Sequence, residues 1–261
     1  MIKVRNLYKS FEGKAILQDV SLDIQEGETI AIIGRSGSGK SVLMKHLIGL
    51  LTPDKGQVIV DGIDINDVPY KELREVRREF GVLFQGGALF DSMDAFENVA
   101  FPLRTFTNKS EKEVAEEVEK CLEVVSLPDV GPKKPAELSG GMQKRVALAR
   151  AIALRPRYII YDEPTSGLDP ETSNTIDELI KGLADQLNVT SIVVTHDMHS
   201  VLSIADRAAF IHDTRLHWTG TIDDLHASDD EVLCGFVKAN EYQIGKPAAT
   251  AATESISEPL P

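Results

Sequence analysis

The chain has 261 residues, 42% of them hydrophobic and 26% charged, and a net charge of −13. That length suits one large domain with a sizeable core, or at most two small ones. The acidity excludes a general nucleic-acid binder and also excludes docking to anionic lipid by charge alone, since both need a basic face.

In chain order, Met1–Arg5 runs directly into an alternating pattern, so no signal peptide is visible. Residues 2–24 and 56–61 alternate with a period of two, as half-exposed antiparallel strands do. Thr29–Ile33, Tyr158–Tyr161 and Ser191–Thr195 are short runs apolar on both faces, separated by helical patterns. Such runs predict parallel strands buried between helix layers, an α/β fold. Val42 to Leu51, the most apolar stretch, is broken by Lys45 and His46. It falls short of the roughly 18 uninterrupted apolar residues that span a bilayer, so a place at a membrane requires a protein partner. A strand at Phe80–Phe84 precedes a mostly helical insertion from about Gln85 to Arg155. Within it, Ser110 and Glu113 form a capping box ahead of an apolar face of Val114, Val118, Cys121, Leu122 and Val125. Cys121 and Cys234 lack metal-ligand spacing and read as reduced thiols of a cytoplasmic protein. Ser228 with Glu231 predicts a second capping box, opening a helix with Val232, Leu233, Phe236 and Val237 on one face. After about Gly245 the composition of Ala, Thr, Ser, Glu and Pro predicts a tail that is disordered or ordered by a partner.

Gly34-Arg35-Ser36-Gly37-Ser38-Gly39-Lys40-Ser41 fits G-x-x-x-x-G-K-[ST], directly after a buried strand and before a helix. The glycines let successive backbone N–H groups curl around a β-phosphate, and the helix points its positive end at the same oxygens. Lys40 pairs with the β- and γ-phosphates in this reading, and Ser41 offers its hydroxyl to Mg²⁺. Tyr158–Glu163 is an apolar strand ending in two carboxylates, delivered to the same edge of a parallel sheet. Asp162 fits the carboxylate that holds Mg²⁺ through water. Glu163 fits the base that orients and deprotonates an attacking water, a contribution of about 10²–10⁴-fold.

Leu138-Ser139-Gly140-Gly141-Met142, opening a predicted helix over Gln143–Leu154, resembles the signature of the ABC (ATP-binding cassette) ATPases. The resemblance implies a P-loop NTPase fold: a mostly parallel core sheet between helices, an N-terminal antiparallel β subdomain and a helical subdomain. It implies ATP and Mg²⁺ as cofactors. It also implies a head-to-tail homodimer in which Ser139, Gly140 and Gly141 close over ATP bound to the partner subunit. Gln85 matches the glutamine that touches Mg²⁺ and attacking water, Asp169 belongs to the loop Ser166–Asp169 that crosses the dimer interface, and His196 matches the switch histidine at the γ-phosphate. Phe11 sits where the family stacks an aromatic ring on adenine; alone, Phe11 or His196 would more often be a packing residue. Two positions depart from the pattern. Val42 replaces a hydroxyl residue but keeps its backbone N–H for the α-phosphate, and Met142 replaces the usual glutamine. The expected layout is an ATPase domain over 1–225, with its helical subdomain at about 86–155, and a C-terminal helix and tail over 226–261.

Gln85–Met93 and Glu97–Leu103, together with Leu-Ser-Gly-Gly-Met and Gly-Lys-Ser-Val, resemble the Mla/Mce-type lipid-transport ATPases. That resemblance implies phospholipid transport powered from the cytoplasmic face of the bacterial inner membrane. It implies a multi-span permease, an MCE-domain lipid-binding protein, a STAS-domain regulator, and neither nucleic acid nor direct membrane insertion. Leu89 and Phe90 then face the permease, or else belong to the core of the helical insertion. The alternative class is an ABC ATPase of a non-transport complex, of the iron–sulfur assembly or cell-division type.

Overall fold

The computed structural model describes residues 1–240; the tail after Gly245 lies outside them. The N-terminal alternation folds as β1 (Ile2–Phe11) and β2 (Lys14–Ile24), an antiparallel pair, followed by the buried strand β3 (Thr29–Ile33) and helix α1 (Lys40–Leu47). Strands β4 (Lys55–Val60) and β5 (Ile63–Asp64) complete a four-stranded antiparallel sheet in the order β2-β1-β4-β5. Helix α2 (Tyr70–Arg78) leads to β6 (Phe80–Leu83). The helical insertion follows as α3 (Ala95–Phe106), α4 (Glu111–Val124), a short 3-10 turn at Pro135–Glu137 and α5 (Gly140–Ile152).

The remaining elements are β7 (Tyr158–Asp162), α6 (Pro170–Leu187), β8 (Thr190–Thr195), α7 (Met198–Ile204), β9 (Arg207–His212), β10 (Arg215–Thr221), α8 (Ile222–Ala227) and α9 (Glu231–Ala239). The second sheet has six strands in the order β10-β9-β3-β8-β7-β6. Five run parallel and β10 closes one edge antiparallel. Successive residues of a strand point to opposite faces, and the core divides accordingly. Ile30 and Ile32 of β3, with Tyr158 and Ile160 of β7, pack toward the antiparallel sheet and α1. Ile159 and Tyr161 pack toward the helical insertion, and Ala31 and Ile33 toward α7–α9. Burial on both faces is why these strands read as unbroken apolar runs.

Local signals held in part. The Ser110–Glu113 capping box forms as expected, and Asp94–Glu97 makes another at the start of α3. Helix α5 starts at Gly140, three residues before the expected Gln143, because Ser139 caps it by accepting from the Met142 N–H. The expected Ser228 cap of the last helix is corrected: Asp230 caps α9 by accepting from the Leu233 N–H, while Ser228 ends α8 and its hydroxyl accepts from Asp230 N. Ser228 and Asp230 compete for one helix start, and the residue immediately before Glu231 has the shorter reach.

Asn98 is fully buried in α3 and ties down the segment before it. Its Oδ1 accepts from Phe90 N at 2.8 Å, and its Nδ2 lies 2.9 Å from Asp94 O, 3.2 Å from Phe90 O and 3.3 Å from Met93 O. Asn98→Leu leaves Phe90 N and Met93 O without that partner, while Phe90 O and Asp94 O keep the N–H groups of Met93 and residue 98, so a stability loss of about 2 kcal/mol is expected from urea denaturation.

Candidate functional site

The parallel strands bring their C-terminal ends to one edge. Ile33 pairs with Thr195, Asp162 with Val194, and Leu83 with Tyr161, so the loops after β3, β8, β7 and β6 emerge side by side. Gly34 turns the chain out of β3 at φ +153°, where a Cβ would meet Ile211 O at 2.5 Å and Ser38 Oγ at 2.7 Å. Only glycine fits there. Ser36 and Gly37 are exposed at the loop's outer rim, whereas Ser38 Oγ is buried with no hydrogen-bond partner among the described residues. Gly39 leads into α1, whose first turn has no side-chain cap. Val42 is half-buried and packs on the core beneath the loop.

Lys40 is 5% exposed. Its Nζ donates to Gly34 O at 2.9 Å and Arg35 O at 3.3 Å and lies 3.7 Å from Glu163 Oε1. Burial pushes its pKa down, opposed by the Glu163 and Asp162 charges. Ser41 Oγ donates to Asp162 Oδ1 at 3.4 Å. Asp162 is held above the usual carboxylate range, chiefly by burial and then by the adjacent Glu163. Glu163 sits at φ +48°, so its side chain leaves the strand's alternation and joins the loop. Its Oε2 is 2.9 Å from His196 Nδ1 and accepts from Thr195 Oγ1 at 3.4 Å. Lys40, Ser41, Asp162, Glu163 and His196 therefore form one connected cluster.

Other residues singled out from the sequence stand apart from that cluster. Gln85 Nε2 donates to Ser166 Oγ at 3.4 Å, which places it at the neighbouring loop rather than on Ser41 and Asp162. Phe11 is 43% exposed at the end of β1, with Lys9 Nζ 5.5 Å from its ring centre. Ser139 is engaged as the α5 cap at 3.3 Å from Met142 N. Gly141 is required for packing, since a Cβ would lie 2.4 Å from Thr172 Cγ2 of α6. Asp169 caps α6, accepting from Thr172 N at 3.0 Å and Thr172 Oγ1 at 2.6 Å, contacts that hold its carboxyl below the usual range.

Sequence reasoning missed Lys144. Its ammonium, 6% exposed, reaches from α5 to the carbonyls of Glu163 at 3.3 Å, Pro164 at 2.6 Å and Ser166 at 2.8 Å. The available signal was a lysine three residues after Gly141, on the buried face of its own helix. On the opposite flank, Tyr70, Phe84, Phe90, Phe101, Phe106 and Arg150 help line a groove of about 530 Å³. The Phe90 and Phe101 rings lie 4.9 Å apart there, each more than a third exposed. Leu89, by contrast, packs against the helical core.

A glycine-rich phosphate loop, a buried lysine and a strand ending in Asp-Glu at one sheet edge define a nucleotide-hydrolysing P-loop protein. Residues 17–166 match the family described as ABC transporter, and the chain belongs to that family. It is 44% identical over 244 residues to the probable ribonucleotide transport ATP-binding protein mkl of Mycobacterium leprae, covering 94% of this chain and 70% of that protein. Identity to the intermembrane phospholipid transport system ATP-binding protein MlaF of Haemophilus influenzae is also 44%, over 238 residues, 91% of this chain and 90% of MlaF. The methionine import ATP-binding protein MetN of Clostridium acetobutylicum is 40% identical over 245 residues, covering 89% and 76%. A dimeric ATP-binding cassette solved in a post-hydrolysis state with ADP and Pi superimposes with a TM-score of 0.79 at 35% identity, covering 85% of this chain and 99% of that one. The protein is an ABC transporter ATPase that binds and hydrolyses ATP.

Lys144→Met removes the clamp on the loop after Glu163 without touching the phosphate loop. ATP turnover is expected to fall about 10-fold while ATP affinity stays within about 3-fold, read by steady-state kinetics and nucleotide titration.

Proposed function

We propose that this chain powers phospholipid movement through a separate multi-span permease, working as a head-to-tail dimer with two ATPs at the interface. The connected cluster of Lys40, Ser41, Asp162, Glu163 and His196 carries the catalytic part of this reading. Lys40 and the N–H groups of the phosphate loop, Gly34 to Val42, hold the phosphates. Glu163 accepts a proton from water as the water oxygen attacks the γ-phosphorus and the bond to the β–γ bridging oxygen breaks. His196 and Thr195 hold the Glu163 carboxylate and so fix the direction from which it takes that proton. Ser139, Gly140, Gly141 and Asp169 serve the partner's nucleotide, and Phe11 stacks on adenine. Gln85, hydrogen-bonded to Ser166, links the site to the permease side.

The donor set beside the cluster fits Mg²⁺. One half-buried carboxylate whose pKa is raised, Asp162, faces one hydroxyl, Ser41. Among the described residues no group of three His, Cys, Asp or Glu side chains is placed to hold a metal. Mg²⁺ suits that sparse arrangement, because it keeps several waters and takes phosphate oxygens alongside one or two protein ligands. Bound there, it would neutralise phosphate charge; Ser41 and Asp162 are the residues that would hold it, whereas Gln85, expected at the metal from the sequence, lies at Ser166 instead.

The lipid substrate is supported by the similarity to MlaF, which this chain covers over 90% of its length, against 76% for the methionine importer. The groove between α2 and α3 suits a helix of the permease, since exposed Tyr70, Phe90 and Phe101 line it together with Arg74, Arg77, Arg78 and Arg150. No helix among the described residues is long and apolar enough to cross a membrane. Attachment to the cytoplasmic face of the inner membrane then runs through the permease, with an MCE-domain protein and a STAS-domain regulator as further partners. The proposed layout keeps the ATPase domain at 1–225 and the C-terminal extension at 226–261.

Glu163→Gln is expected to bind ATP, lose steady-state turnover and accumulate ATP-bound dimers in size-exclusion chromatography. Lys40→Ala is expected to weaken nucleotide binding itself. Turnover at the parental rate in the first variant would remove Glu163 as the base.

Affinity purification from detergent-solubilised membranes of the native host tests the transport reading. Recovery of a multi-span permease with an MCE-domain protein, lost in Phe101→Asp, is the expected result. Recovery of only soluble partners would sink the lipid assignment and leave the ATPase chemistry standing.

A further inference from the structure

One buried carboxylate has no place in the chemistry above. Asp177 lies on the inner face of α6 beside Ile176, Ile180 and Leu183, 3% exposed at a position where the helix packs. Its Oδ2 accepts a 2.9 Å hydrogen bond from Ser200 Oγ in α7, while Oδ1 is buried with no partner among the described residues. Burial pushes this carboxyl up to about 6 against the Ser200 hydrogen bond; the Asp197 charge adds to the push and His199, 4.0 Å away, opposes it. An acid whose folded value lies above its unfolded one loses stability as pH rises between the two, and the whole cost is present above the higher value. At neutral pH Asp177 therefore works against folding. Apolar residues commonly replace such buried charges without loss.

What Asp177 reaches is the rear of the ATPase site. Ser200 Oγ, fully buried, lies 3.4 Å from Thr165 Oγ1 and 3.3 Å from Asp197 Oδ2. Thr165 Oγ1 donates to the same Asp197 oxygen at 3.2 Å. The other Asp197 oxygen caps α7 at His199 N, and Asp197 N donates to Thr195 Oγ1, the hydroxyl that also reaches Glu163. His196 sits in the chain between Thr195 and Asp197, its ring on Glu163. Ser200 has a single proton, and at 2.9 Å Asp177 takes it in preference to Asp197 at 3.3 Å. Asp197 is thereby left to Thr165.

We propose that Asp177 is a positioning residue for ATP hydrolysis: by holding the Ser200 hydroxyl it fixes Asp197 and Thr165, and through them the placement of His196 against Glu163. The proposal rests on Glu163 and His196 as the hydrolytic pair. Removal of the carboxylate turns the Ser200 proton to Asp197, which then serves two donors on one oxygen and shifts the start of α7. Because α6 begins at the Ser166–Asp169 loop, displacement of that loop travels to His196 along the same bonds.

The test compares Asp177→Leu, Asp177→Asn and Glu163→Gln in the full chain, by thermal melting and steady-state ATPase kinetics at about pH 8, where Asp177 is ionised. Asp177→Leu is expected to melt at or above the parental temperature, because a buried charge is gone. Its kcat is expected to fall about 5- to 10-fold with KM for ATP within about 2-fold. Asp177→Asn still offers an oxygen to Ser200 and is expected to recover kcat to within about 2-fold of parental. Parental kcat in Asp177→Leu overturns the proposal. So does a melting temperature that falls together with kcat and is not rescued by asparagine, which is the behaviour of a purely structural residue. Glu163→Gln separates the levels: parental turnover there overturns the underlying pair, whereas its loss beside an active Asp177→Leu overturns the positioning role alone.

Discussion

Two adjacent carboxylates at the end of one buried strand set the terms for their whole surroundings. Neighbouring side chains on a strand point to opposite faces, so Asp162 and Glu163 would ordinarily separate. The left-handed backbone at Glu163, φ +48°, breaks the alternation and brings both to the phosphate loop. For a residue with a side chain that conformation costs roughly 1–2 kcal/mol. Two negative charges at a half-buried site add a further cost, and the rise of the Asp162 pKa reflects its burial first and the neighbouring Glu163 charge second. Lys40 offsets part of the repulsion from 3.7 Å, and a bound divalent cation would offset more. The arrangement stores strain and charge where chemistry uses them.

A strained loop holds its shape only if its surroundings fix it. The segment from Glu163 to Ser166 is gripped on one side by Lys144, whose ammonium accounts for three of its carbonyls. On the other side Thr165 is bound to Asp197 and Ser200 of the α7 start. Lys144 belongs to the same helix as Ser139 and Gly140, and α7 follows His196 directly. The helix start proposed to serve the partner's nucleotide and His196, the proposed switch residue, thus bear on one short loop. Movement of either is mechanically connected to the carboxylate of Glu163, without any long-range relay.

The parts of this architecture that rest on neighbouring residues were legible in the chain. Buried strands show as runs apolar on both faces, the Ser110–Glu113 box is complete within four residues, and the phosphate loop is contiguous. What was not legible depends on partners distant in sequence. Lys144 and Asp177 read as ordinary charged positions on amphipathic helices, because a sequence gives no sign of which carbonyls or hydroxyls lie opposite them. The β9–β10 hairpin was missed because Asp213-Thr214 is a turn that closes at positive φ without glycine. Ser228 and Asp230 are both good caps, and only the end of α8 decides between them. Gln85 was placed at the metal by family pattern; its bond to Ser166 comes from the path of the chain after β6.

The distribution of charge over helix starts bears on the proposed dimer. In this acidic chain α2, α3, α4, α6, α8 and α9 each carry Asp or Glu in the first turn, where the negative charge meets the positive end of the helix dipole. Helices α1 and α5, the two that begin at glycine-rich motifs, carry none, and neither does α7, but α7 is capped by the Asp197 carboxylate whereas α1 and α5 start at Gly39 and Ser139. Only α1 and α5 thus have neither a first-turn nor a capping carboxylate, and each is flanked by glycine backbone that a phosphate can approach closely. The α1 start lies against Asp162 and Glu163 in the same chain, through Lys40 and Ser41. Among the described residues, no hydrogen bond joins Ser139, Gly140 or Gly141 at the α5 start to the phosphate loop. One chain therefore holds two anion-seeking helix ends that do not meet. In the proposed head-to-tail dimer each α1 start would face the partner's α5 start, with a nucleoside triphosphate between them supplying the negative charge that both lack.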